Sequence, residues 1–170
     1  MLGIKKFLLL ACSIFCLSSC ASMLTGKVND EATNLFSTYK AKDSNFQAND
    51  IYWLIKAAMV GSDKETKAGF KDLKGMWMVN WEKCPQAIQK AFLADVDQMV
   101  KGKTKKVDTS DKGVYTMYYT PISGSDKAQD IWLFFKRNTP LEDGTSTTLM
   151  YLPGKLSLED AEDLSSSNSK

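Results

Sequence analysis

Histidine is absent from these 170 residues, arginine occurs once, at Arg137, and cysteine four times, at Cys12, Cys16, Cys20 and Cys84. Without an imidazole, serine–histidine and cysteine–histidine nucleophile pairs cannot form, and most zinc sites lose their usual ligand. A single guanidinium leaves the chain poorly equipped to read phosphates or guanines bidentately, so nucleic acid is disfavoured as a partner. The most apolar run, Phe7 to Leu17, is shorter than the about twenty residues a membrane-spanning helix needs. There are no internal repeats.

That apolar run is part of a recognisable whole. Lys5 and Lys6 supply a positive end, Phe7–Leu17 an apolar middle and Leu17-Ser18-Ser19 a small-residue exit, the three parts of a secretory signal. Leu17-Ser18-Ser19-Cys20 resembles the lipobox of bacterial lipoproteins. The resemblance implies cleavage before Cys20 and transfer of a diacylglyceryl group to its sulfur. Two or more acyl chains hold a protein stably at a bilayer, whereas one binds only marginally. Residues 1–19 are therefore expected to be a signal peptide and 20–30 a lipidated cysteine with its tether. Ala21 and Ser22 follow, with no acid before Asp30. By resemblance to lipoprotein sorting rules this points to the outer membrane, facing the periplasm.

Cleavage removes Lys5 and Lys6 and no acid, so the formal charge of +2 leaves with the signal and the mature chain is neutral. It also removes Cys12 and Cys16. With Cys20 lipidated, Cys84 is the one free thiol and no internal disulfide is expected. About 150 residues remain, enough for one domain.

Residues 31–164 read as that domain. Asn29 or Asp30 can cap a helix from Glu31 to about Lys40, with Leu35, Phe36 and Tyr39 on one face. Residues 46–60 are ambiguous between a strand followed by a helix and a helix capped by Asp50; a helix over Ile51–Val60 is favoured. Residues 62–74 are polar and suit a loop or a weak helix. "MWMVNW" (76–81) alternates as a strand does, with Trp77, Val79 and Trp81 on one side and Met76 and Met78 on the other. Pro85 and Gly102 bracket a helix whose stripe is Ile88, Phe92, Val96 and Met99, with Ala91 beside it. Strands at Gly113–Thr120, Asp130–Lys136 and Thr147–Leu152 form an antiparallel meander. Ser157 and Asp160 can cap a short acidic closing helix. Residues 165–170 are too polar to fold. The expected class is α+β, two-layer, with helices packed on an antiparallel sheet of about four to five strands.

"LMYLPGKLSLEDAEDL" looks like the C-terminal strand, Gly-Lys turn and acidic helix of a lipoprotein family from Bacteroidota classified as domain of unknown function 4252. "FLADVDQMV" and "IYWLIKAAM" resemble its central helix and early segment. The resemblance spans most of residues 31–164 and implies an envelope lipoprotein with no assigned activity. It supplies no catalytic residues. Pro153 departs from the small polar residue the family pattern calls for before the glycine.

Candidate site residues follow from chemistry. Both sides of the strands are apolar, although a sheet covered on one side should be polar on the other. Either both faces are covered or one presents an aromatic surface formed by Trp77, Trp81, Trp132, Phe134 and Tyr119; packing in the core is the favoured alternative. Cys84 sits at a helix start, where a thiolate is favoured, yet shares a side with Ile88, so a packed thiol is expected. Asp95 lies in the apolar stripe and, if it faces the sheet, wants a polar partner or a ligand. Lys101, Lys103, Lys105 and Lys106 read as a solvated loop. Glu159, Asp160, Glu162 and Asp163 read as a helix's exposed acids rather than a calcium loop. No metal or cofactor is expected. The expected role is a non-enzymatic, membrane-anchored binding or interaction module in envelope homeostasis or signalling, with a protein partner in the envelope. The alternative is a ligand carrier or enzyme with a pocket near Cys84 or Asp95.

Overall fold

Strands that are apolar on both sides need cover on both sides, and the chain supplies it. The computed structural model describes residues 31–60 and 68–167. The signal peptide, lipidated cysteine and tether expected over 1–30 lie outside them, as do 61–67 and 168–170. The elements run α1 (Glu31–Lys42), β1 (Gln47–Asp50), α2 (Tyr52–Val60), β2 (Trp77–Asn80), α3 (Gln86–Val100), β3 (Thr104–Ser110), β4 (Gly113–Pro121), β5 (Lys127–Arg137), β6 (Thr147–Ser157) and α4 (Leu158–Ser167). The six strands form one sheet in the order β1-β2-β6-β5-β4-β3, antiparallel at every pairing.

This is the α+β arrangement the sequence indicates, with helices packed on an antiparallel sheet. The sheet is wider by at least one strand, and helices occupy both faces, which adds a layer to the two expected. Alternation along the strands sorts their side chains. Val79, Trp132, Leu149 and Tyr151 pack with Phe36 and Tyr39 of α1 and with Phe92, Val96 and Val100 of α3. Met78, Ile131, Leu133, Met150 and Leu152 pack on the other face with Ile55 of α2 and with Ala161 and Leu164 of α4. Each large side chain so buried contributes roughly 1.5–3 kcal/mol, which makes the two central strands, β5 and β6, the most heavily stabilised part of the molecule.

Local sequence explains most boundaries. Glu31 opens α1 and Lys40 and Lys42 close it, each sign at the dipole end that favours it. The 46–60 ambiguity resolves into both readings in succession: a four-residue strand, then α2, whose first turn is capped by Asp50 accepting from the Tyr52 N–H at 2.9 Å. Ser157 Oγ accepts from the Asp160 N–H at 3.0 Å and donates to the Asp160 carboxylate, so the closing helix is capped as its sequence indicates. That helix runs on to Ser167, into the stretch read as unfolded.

Two elements differ from expectation. The lysine stretch is a loop only as far as Lys103: Lys105 and Lys106 lie in Thr104–Ser110, which pairs residue for residue with β4 as an edge strand, exposed along its whole length. An edge strand exposed on both faces needs no apolar alternation, so no periodic signal marks it. Nor do Pro153 and Gly154 make a turn. β6 continues to Ser157, and the two residues sit in a bulge where the pairing with β5 shifts between Gln129 and Ile131. Asp130 opposite adopts a left-handed backbone, φ 51°. Residues 72–74 run beside the bulge: the Lys74 N–H donates to the Pro153 carbonyl at 2.8 Å and the Lys155 N–H to the Asp72 carbonyl at 3.0 Å.

Gly154 has φ +102°, and a Cβ there would lie 2.4 Å from the Asp72 carbonyl oxygen and 2.8 Å from the Lys74 nitrogen, both backbone atoms. Gly154→Ala should therefore lower the unfolding free energy by more than about 1 kcal/mol in urea titrations. A change within about 0.5 kcal/mol, the range of ordinary surface substitutions, would show that residues 72–74 are not held against the bulge.

Candidate functional site

The register of the sheet decides what becomes of the aromatic residues. Trp77 pairs with Tyr151, Tyr151 with Trp132, and Trp132 with Tyr118, placing four aromatic side chains in one row across four strands. Phe36 of α1 lies on this row, its ring centroid 5.8 Å from Trp77, 6.0 Å from Trp132 and 6.1 Å from Tyr151. Toward α3 a second cluster forms, with Phe92 5.3 Å from both Tyr39 and Trp81 and 4.9 Å from Phe46. Such tilted and edge-on pairs add about 0.5–1.5 kcal/mol beyond burial.

The open aromatic surface considered from sequence is thus closed. Trp81 and Trp132 are 3 % and 2 % exposed, and Trp77 and Phe134 are half-buried beneath the α1–α3 layer. Tyr119 does not belong to the set: it packs on the opposite face, against the core of Ile131 and Leu133. Tyr118 takes the place beside Trp132, because the β4–β5 register pairs those two residues. Among the described residues the aromatic side chain left most outward is Trp53 on α2, 49 % exposed, which carries no pattern that marks it in the sequence.

Asp95 is a second correction. It lies at the border of the α3 stripe and is exposed rather than directed at the sheet. The Tyr39 hydroxyl donates to its Oδ2 at 2.7 Å, tying α1 to α3. Burial first, then the hydrogen bond and the negative charge of Asp95, push the Tyr39 phenol up to about 12. Tyr39 therefore stays protonated and keeps donating across the neutral range.

Cys84 is buried, as its helix position indicates, and packs in the α1–α3 core. Burial, followed by the charge of Asp43 and a hydrogen bond to its carboxylate, raises the thiol above its ordinary value. A thiol raised in this way resists ionisation, the opposite of what a nucleophile at a helix start requires.

A polar cluster that no local motif announces lies at one end of β2. Glu82 accepts from the Ser146 N–H and from its hydroxyl, both at 2.5 Å. Asn80 donates to the Thr145 hydroxyl at 2.9 Å, and Lys83 reaches Asp143 at 3.1 Å. Burial alone would raise the Glu82 carboxyl, but the hydrogen bonds from Ser146 and Thr147 outweigh it and hold the group below its usual range. The cluster clasps the β5–β6 connection to the β2–α3 connection. Residues 60 to 65 apart in sequence make it, so only the register of the sheet reveals it.

Among the described residues no group of three or more acidic or cysteine side chains is arranged to hold a metal ion, and no helix is long and apolar enough to cross a membrane. Comparison with known proteins gives no match: no family model, no curated protein and no solved structure matches this chain.

In the native protein at neutral pH, iodoacetamide should leave Cys84 unmodified over a period in which the urea-unfolded chain reacts fully, read by mass analysis of the Cys84 peptide. Rapid native labelling would show that the thiol is accessible and ionised.

Proposed function

We propose that this chain is a lipid-anchored, periplasm-facing lipoprotein of the bacterial envelope that works as a non-enzymatic binding module. The observation that carries the reading is the run Leu17-Ser18-Ser19-Cys20 at the end of a charged, then apolar, N-terminal segment. In this reading residues 20–30 serve as the tether. Extended at about 3.3 Å per residue, such a tether reaches roughly 30 Å from the bilayer.

Binding is favoured over catalysis by how the reactive groups are employed. The Cys84 thiol is buried in the α1–α3 core, while the Asp95 carboxylate is committed to Tyr39 and Glu82 to Ser146, each of these bonds fastening one element to another. The resemblance to domain of unknown function 4252 points the same way, toward an envelope role without an assigned reaction. A partner in envelope homeostasis or signalling fits this placement.

Mass analysis of the protein extracted from membranes tests the anchor. The first nineteen residues should be missing and residue 20 should carry diacylglyceryl mass, while Cys20→Ala should release the protein from the membrane fraction or leave the signal uncleaved. An unmodified Cys20 in the native protein would overturn the reading.

A further inference from the structure

The sheet ends on one side at β3, a seven-residue strand exposed at every position and paired without a bulge to β4. Alternate residues of such a strand direct N–H and C=O groups outward, and among the described residues no strand pairs with that edge. Natural edges of this length are usually broken by a bulge or guarded by charge. This one is guarded by Lys105 and Lys106, and between its charged positions stands Val107, 53 % exposed.

The charges do more than guard. When two identical strands pair antiparallel across a two-fold axis, paired side chains share a face, so residue i meets residue j only when i and j have the same parity. An axis at Lys105 or Lys106 sets lysine against lysine, and an axis at Asp108 sets aspartate against aspartate. An axis at Thr109 sets Lys106 against Lys112. An axis at Val107 sets Lys106 opposite Asp108 of the second copy, and Asp108 opposite its Lys106. It also brings Val107 against Val107 and Thr104 opposite Ser110, and just beyond the strand Lys103 comes opposite Asp111. Of these five registers it alone places no like charges opposite each other.

We propose that β3 is a self-recognition edge, pairing antiparallel with β3 of a second copy about a two-fold axis at Val107 to continue the sheet across both molecules. The occupant is specified by charge complementarity: opposite charges directly across a strand pair stabilise it and like charges destabilise it. The lysines that bar other strands are thus the residues that select this register. Neither present commitment of the flanking lysines blocks it. Lys106 pairs with Glu162 of α4 and Lys105 lies over the Tyr118 ring, both contacts to the faces of the sheet and not along its edge. A pair of seven-residue strands buries less than the about 1,200 Å² of a standard interface, so the association is weak and reversible. The pairing does not depend on whether Cys20 carries lipid.

Disulfide trapping tests it. Val107→Cys, placed in the full chain and mildly oxidised, should give a covalent dimer well above the parent chain, whose own cysteines set the background. Ser110→Cys should not, because the two Ser110 positions lie roughly 20 Å apart in this register, six residues at about 3.4 Å each. Adding Asp108→Lys to Val107→Cys should cut trapping by roughly tenfold, since it sets lysine against lysine on both sides of the axis. Further addition of Lys106→Asp should restore most of it. All these side chains are exposed, and thermal melting of each variant verifies the fold. Trapping no greater than in the parent, equal trapping at Ser110→Cys, or indifference to the charge changes would each overturn the proposal.

Discussion

A strand with apolar side chains on both its faces must be covered twice, and that requirement organises this molecule. In β5, Ile131 and Leu133 face one way and Trp132 the other; in β6, Met150 and Leu152 oppose Leu149 and Tyr151. Leaving either set in water would forfeit several kcal/mol, on the scale of a domain's whole net stability. The chain meets the demand with α1 and α3 on one face and α2 and α4 on the other. The polar pairs act as fasteners on this frame: Tyr39 to Asp95 between two helices, Glu82 to Ser146 between two connections, and Ser157 to Asp160 at the entry to α4.

Much of this frame is legible in the sequence because burial imprints periodicity. The α3 stripe, the alternation of "MWMVNW" and the three long strands of the meander carry strong patterns, and the structure reproduces them, lengthening the meander strands and trimming 76–81 to Trp77–Asn80. The double apolarity of the strands already poses the choice between two-sided cover and an open aromatic surface. What decides it is register, which has no local signal: pairing Trp132 with Tyr118 sends Tyr119 to the other face, and pairing Trp77 with Tyr151 brings both under Phe36. β3 is silent for a related reason. An edge exposed on both faces has nothing to alternate, so lysines and threonines in a strand look like lysines and threonines in a loop. Pro153 and Gly154 mislead in the opposite sense, having turn chemistry but serving a bulge in a strand that continues.

Function is less legible for reasons that are equally physical. Cys84, Asp95 and Glu82 are spent on architecture, and the aromatic residues of the sheet row pack in or against the core. Among the described residues Trp53 and a sheet edge whose charges are self-complementary face outward, beside the anchor proposed at Cys20. For a tethered protein these combine naturally: confinement to a surface raises the effective concentration of identical copies, and a weak edge-to-edge pair then gains occupancy without any new contact. An assembly held in that way would depend on local density.

The central claim, that one sheet is covered on both faces and held as one cooperative unit, is tested most directly by native-state hydrogen exchange along β5 and β6. The account predicts that the hydrogen-bonded amides from Ile131 to Phe135 and from Leu149 to Leu152 exchange only by global unfolding, with a single free energy whichever face the side chain occupies. Two separate opening energies, one for unfolding of the α1–α3 layer and another for the rest of the sheet, would contradict it.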